Sequence, residues 1–102
     1  MAYRPVLIIK GAHLFSGADV YLNVMEIDVI YWMADNLSED GIGEKINRSP
    51  RCVNTHVVNT YSKTGCCTHG GLISYAHKYK VIFHRNGVLM KTKGNIKPGK
   101  KK

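Results

Sequence analysis

Between residues 22 and 79 the chain carries four successive helix-start signals, and their spacing leaves room only for short helices joined by tight turns. Asn23 followed three residues later by Glu26 is a capping-box pattern, with Leu22 and Ile27 placed as a hydrophobic staple. Val29, Ile30, Met33 and Ala34 follow at helical spacing, which predicts a first helix over about residues 24–35. The chain should leave it through Asn36, a residue that tolerates left-handed backbone. Ser38 ahead of Glu39 and Asp40 opens a second helix whose acids suit the positive end of the helix dipole, with Ile42 and Ile46 on one face. Ser49-Pro50 opens a third, since proline is harmless at the first helical position, and it should run to about Lys63 and stop at Gly65. Thr68 caps a fourth, over about residues 69–79, with Leu72, Ile73 and Ala76 inward. Two short helices joined by a turn of about three residues form a helix-turn-helix unit, and its recognition helix would be the third helix here.

The two ends read differently. Residues 1–21 read as a strand around Val6 to Ile9 followed by a glycine-containing loop. Residues 80–93 hold Asn86-Gly87 between two β-prone runs, the strongest local signal for a hairpin. Residues 94–102 read as a disordered basic tail. The N-terminal strand and C-terminal hairpin are expected to combine into one small sheet beside the helices, its exposed edge offering a homodimer contact. The expected fold class is therefore mainly α: a four-helix domain with one small β element.

A chain of 102 residues is one domain, and its 44% apolar composition supplies a modest core. Its apolar runs fall far short of the ~20 residues that span a bilayer, and its first residues lack the long apolar region of a secretory signal. Three cysteines, two of them adjacent, make no disulfide framework, which fits a reducing cytoplasm. No membrane partner is expected. The charges are unevenly placed: the first 44 residues hold all seven acids and two bases, Arg4 and Lys10, whereas the rest hold thirteen bases and no acid. This asymmetry points to a polyanion approached from the C-terminal side and to a nucleoid-associated location.

Over residues 22–77 the sequence resembles the LuxR/GerE-type helix-turn-helix domain of bacterial transcription regulators. Leu22, Glu26, Val29, Ile30 and Ala34 fall on that family's L-x-x-x-E-x-x-V-L-x-x-x-A opening. Ser38, Ile42 and Ile46 fit S-x-x-x-I-x-x-x-L, and Ser49, Val53 and His56 fit S-x-x-T-V-x-x-H. Lys63 and Gly65 fit K-L-G, and Ala76 falls on the alanine ending the fourth helix. The resemblance implies a four-helix domain that inserts its third helix in the major groove of double-stranded DNA. It implies a regulator of bacterial or phage origin, here without the sensing domain that often precedes this unit, so that control would come from abundance, partners or dimerisation. The chain departs from the family at Gly41, Gly43, Cys52, Asn54, Thr60 and Thr64. Glycine inside a helix costs about 0.5–1 kcal/mol relative to alanine, so a less stable domain is expected.

On the third helix Val53, Val57, Thr60 and Thr64 share one face, leaving Arg51, Asn54, Thr55, Val58, Asn59 and Ser62 on the other. Asparagine pairs with adenine edges, arginine with guanine, and the methyls of threonine and valine meet that of thymine, so Arg51, Asn54, Thr55, Val58 and Asn59 are the expected base readers. Lys45, Arg48, Ser49, His56, Ser62 and Lys63 are the expected phosphate contacts, positioning the domain without specifying sequence. His56 resembles the family histidine at the boundary between helix and DNA, and a structural role for it is equally open. The basic hairpin and tail add salt-sensitive attraction. Cys66-Cys67-Thr68-His69 lacks the second ligand pair that structural zinc requires, so no metal, cofactor or catalytic group is expected. A second reading is a phage-type adaptor, inhibitor or virion protein that uses the same scaffold to bind the transcription machinery or another protein.

Overall fold

In the computed structural model, which describes residues 4–96, all four helix-start signals are in use. The element order is β1 (Pro5–Ile9), β2 (Val20–Asn23), α1 (Val24–Ala34), α2 (Glu39–Ile46), α3 (Pro50–Thr64), α4 (His69–Lys78), β3 (Ile82–Arg85) and β4 (Val88–Lys91). At α1 the capping box is complete: Asn23 Oδ1 accepts the Glu26 N–H at 2.8 Å, and Glu26 Oε1 accepts the Asn23 N–H at 2.9 Å. Ser38, Ser49 and Thr68 cap α2, α3 and α4 by accepting the N–H of Gly41, Cys52 and Gly71.

The β structure departs from the expectation of one joint sheet. β1 pairs antiparallel with β2, and β3 with β4, as two separate two-stranded sheets, so the domain is mixed α/β. Residues 1–21 are thus not simply strand and loop. β2 runs straight into α1, with Asn23 serving both as the last strand residue and as the helix cap. In the C-terminal hairpin, Asn86 and Gly87 take φ of 54° and 79°, as a type I′ turn demands.

Part of the expected disordered tail is also built in. The β1–β2 register shifts between Pro5 and Leu7, which leaves Val6 outside the ladder. Its carbonyl instead accepts the N–H groups of Asn95 and Ile96, both at 2.9 Å. The Asn95 side chain completes the graft, accepting the Ile8 N–H at 2.9 Å and donating to the Ile8 carbonyl at 3.0 Å. Gly94 permits the approach: its φ is +96°, and a β-carbon there would lie 2.2 Å from Val6 O. Residues 97–102, the remainder of the expected tail, lie outside the described residues.

Leu22, Ile30, Ile42, Val53, Leu72 and Ile82, each at most 2% exposed, bring every helix and both sheets into one core. The inward threonines of α3 are satisfied without water. Thr60 and Thr64 donate to the carbonyls four residues earlier at 2.7 and 2.8 Å, and Thr64 Oγ1 also accepts the Cys66 N–H. Tyr75 joins Leu72 and Ala76 as a buried residue of α4, and its hydroxyl donates to the Ala12 carbonyl at 3.0 Å.

Candidate nucleic-acid interface

Residues 47–49 connect α2 to α3, and the connection is closed by Arg48 N–H donating to the Gly43 carbonyl at 2.8 Å. Asn47 takes left-handed backbone at φ 60°, ending α2. Gly43 is what lets the two helices come this near: a β-carbon on it would stand 2.4 Å from Arg48 O. A glycine that looks like a weak helix residue in the sequence is therefore a packing requirement of the turn.

This turn fixes α3 with Val53, Val57, Thr60 and Thr64 buried against the core and Arg51, Asn54, Thr55, Val58, Asn59 and Ser62 exposed. The outward set is the one its periodicity predicts, with Cys52 added to it at the first turn. At 15 residues the helix is about 22 Å long. Asn54 is not idle on this face: its Nδ2 donates to Glu39 Oε2 of α2 at 3.0 Å. Thr55 donates back to the Arg51 carbonyl at 3.1 Å, so its hydroxyl is committed to the helix.

The expected phosphate contacts divide. Lys45 and Arg48 are exposed beside the turn, Lys45 with its ammonium 4.9 Å from the Trp32 ring centre and Arg48 with Nη1 donating to the Asn47 carbonyl. Ser49 accepts a helix-capping N–H and keeps its own hydrogen to donate. His56 is half-buried, and Ser62 is exposed.

Lys63, expected to contact phosphate, has a partner within the fold. Its Nζ lies 2.8 Å from both oxygens of Glu26, which is itself 1% exposed. Glu26 is thus both the capping residue its spacing predicts and a buried carboxylate, and Lys63 is the cation that neutralises it.

Folding also returns acids to the basic end of the chain's charge split. Asp40 and Glu44 line a shallow depression with Arg48, Ser49 and Pro50. The α2–turn–α3 unit is thus closely balanced in charge, and among the described residues the surplus of bases lies on the C-terminal hairpin and the segments around it, at Lys78, Lys80, Arg85, Lys91 and Lys93. Lys91 is ion-paired, its Nζ 2.6 Å from Asp28 Oδ1, while Lys78 and Arg85 stand over the rings of Tyr79 and Phe83.

Compared with family models, characterised proteins and solved structures, the chain matches none. Two features outside α3 carry weight that sequence reasoning missed. The loop between β1 and β2 covers the C-terminal end of α3, where Leu14 N–H donates to the Thr64 carbonyl at 2.9 Å and His13 Nε2 lies 3.3 Å from the Ser62 carbonyl. Its tip exposes Leu14 (51%) and Phe15 (82%). The signal was present as an apolar pair between glycines, without a helical or strand period to explain it. The other is a groove of about 610 Å³ between α1 and β4, lined by Val24, Ile27, Tyr31, Trp32, Leu89 and Met90 among others. Among the described residues no helix is long and apolar enough to cross a membrane, and no group of three or more His, Cys, Asp or Glu could hold a metal.

Proposed function

We propose that this chain is a sequence-specific DNA-binding transcription regulator built on a LuxR/GerE-type helix-turn-helix, with α3 laid in the major groove. The observation that carries the reading is the pairing of a three-residue turn, tightened at Gly43, with a 15-residue helix whose outward face is polar and exposed. A helix presented in this way fits the width of the groove, and Arg51, Asn54, Thr55, Val58 and Asn59 offer the donor, acceptor and methyl groups that distinguish base pairs. Lys45, Arg48 and the basic hairpin supply the sequence-independent attraction. Selection from a random duplex pool across a salt series tests the reading. An enriched motif, lost on Asn59→Ala or Arg51→Ala and retained at uniformly lower affinity on Lys45→Ala, is expected. A pool with no enriched motif at moderate salt would overturn it.

The groove between α1 and β4 favours a second reading, an adaptor that binds a protein partner. α3 contributes none of its lining among the described residues, so the groove is separable from the helix proposed to read bases. Under this reading Met90→Ala, which adds no charge to the hairpin, disrupts a nuclease-resistant stoichiometric complex and leaves duplex binding unchanged.

A further inference from the structure

We infer that the loop between β1 and β2 is a second DNA contact, in which Phe15, supported by Leu14, presses as an apolar wedge on the base stack next to the groove that holds α3. The inference rests on the DNA-binding reading and extends it to a class of contact that the helix-turn-helix does not itself provide.

Phenylalanine left 82% exposed gives up the burial that its side chain ordinarily gains, and here it does so on a loop that is tied down rather than loose. His13 organises the turn. Its N–H donates to the Ala18 carbonyl and its carbonyl accepts the Gly17 N–H, both at 3.0 Å. Its Nδ1 accepts the N–H groups of Phe15 and Ser16 at 3.2 and 3.1 Å, which leaves Nε2 to donate towards the Ser62 carbonyl. At the base of the loop, the Gly11 N–H donates to Asp19 Oδ1 at 2.8 Å and the Ala12 carbonyl accepts the Tyr75 hydroxyl. An apolar tip held this firmly costs little further ordering when it binds.

Its placement identifies the partner. The loop lies directly on the end of α3: a β-carbon on Gly65 would stand 3.1 Å from Phe15 Cδ2. With α3 along the major groove, this end of the helix faces the groove's rim. Exposed polar residues stand beside it, Ser16 in the loop and Ser62 on α3, whose carbonyl lies 3.3 Å from His13 Nε2. A single flat aromatic at a polar rim matches the slot between base pairs, which proteins open with inserted Phe or Leu side chains. The loop's one acid, Asp19, accepts the Gly11 N–H, and Lys10 stands at the loop's entry.

The test uses the intact chain and the duplex it selects from a random pool, carrying 2-aminopurine at successive steps flanking the motif. Wild-type protein should raise fluorescence at one flanking step, which reports unstacking. Phe15→Ala should abolish that rise and weaken binding about tenfold, with the slope of log affinity against log salt unchanged, because an apolar contact releases no counterions. Phe15→Trp should restore both, and matching thermal unfolding of the variants confirms that the loop is intact. If Phe15→Ala binds as tightly as wild type with the same fluorescence profile, the wedge is overturned and the α3 reading stands. If wild type selects no duplex, the α3 reading falls and takes the wedge with it. If Phe15→Ala instead dissociates an oligomer in DNA-free sedimentation and leaves the fluorescence rise in place, the loop is a contact between copies of the chain and the wedge is overturned.

Discussion

Lys63 on the last turn of α3 holds its ammonium 2.8 Å from the carboxylate of Glu26, which caps α1 and is buried beneath it. The two residues are 37 positions apart, and each belongs to a motif on which the family resemblance rests. One carboxylate therefore does two things: it accepts the N–H of its own helix cap and anchors the helix that faces outward. Removing either partner leaves the other in a poor setting. Lys63→Met should cost about 1–3 kcal/mol of stability, less than the ~3–5 kcal/mol seen for fully buried pairs, because the Lys63 side chain is 38% exposed. Chemical denaturation reads the loss. Since Lys63 is engaged with Glu26, the salt slope of duplex binding should stay that of wild type, whereas Lys45→Ala or Arg48→Ala should flatten it by about one unit.

Gly43 and Gly70 make a paired test of the turn. Both lie in helices, and helix propensity alone favours alanine at each by about 1 kcal/mol. A β-carbon at Gly43 meets the Arg48 carbonyl at 2.4 Å, while one at Gly70 meets nothing within 4 Å. Gly70→Ala should stabilise the chain by about 0.5–1 kcal/mol, and Gly43→Ala should destabilise it by ~1–3 kcal/mol, the usual cost of forcing an atom into a packed site. Equal shifts of the melting temperature in the same direction would remove the close approach as the reason for glycine at Gly43.

The contrast between these two glycines shows where a sequence stops being readable. Capping residues act within four positions, so Asn23, Ser38, Ser49 and Thr68 set the helix starts from local pattern alone, and the 3.6-residue period sorts α3 into inner and outer faces. Contacts between distant segments leave no such mark. Nothing local pairs Glu26 with Lys63, brings Arg48 against Gly43, or grafts Asn95 onto Val6 and Ile8, 87 residues away from the latter. β2 was hidden for a different reason: four residues ending in a helix cap look like the approach to the helix. On the candidate interface the exposed set was legible. The Glu39 partner of Asn54 and the loop seated on the end of α3 were not.

Stability should fall at high pH through Tyr75. Burial, with a smaller contribution from the nearby Tyr79, pushes its hydroxyl well above the ordinary tyrosine value of 10.0. The fold therefore keeps the proton that the unfolded chain releases near pH 10, and stability that is complete below that value declines as pH rises beyond it. Tyr75→Phe should abolish this component of the decline. It should also cost about 1–2 kcal/mol at neutral pH, because the Ala12 carbonyl loses its donor. Thermal melts of the two proteins between about pH 8 and 11 check both statements, and curves that stay parallel above pH 10 would reject the first.

Glu39 restrains the outward face of α3 in two separable ways. Its carboxylate places a negative charge beside a surface proposed to meet phosphates, and its Oε2 holds the Asn54 amide at 3.0 Å, away from a base edge. Glu39→Gln removes the charge and keeps an acceptor for Asn54. It should tighten binding to every duplex by roughly fivefold at low salt, the effect of ~1 kcal/mol of relieved repulsion near the surface, and leave the preferred motif unchanged. Glu39→Ala also frees the amide, so it should tighten binding and sharpen the preference for adenine at one position, where Asn54→Ala then costs about 1–3 kcal/mol of discrimination. Fluorescence anisotropy on the selected duplex and its single-base variants measures both quantities. If the two Glu39 variants behave alike, the Asn54 amide reads no base and the specificity of α3 lies with Arg51, Thr55, Val58 and Asn59.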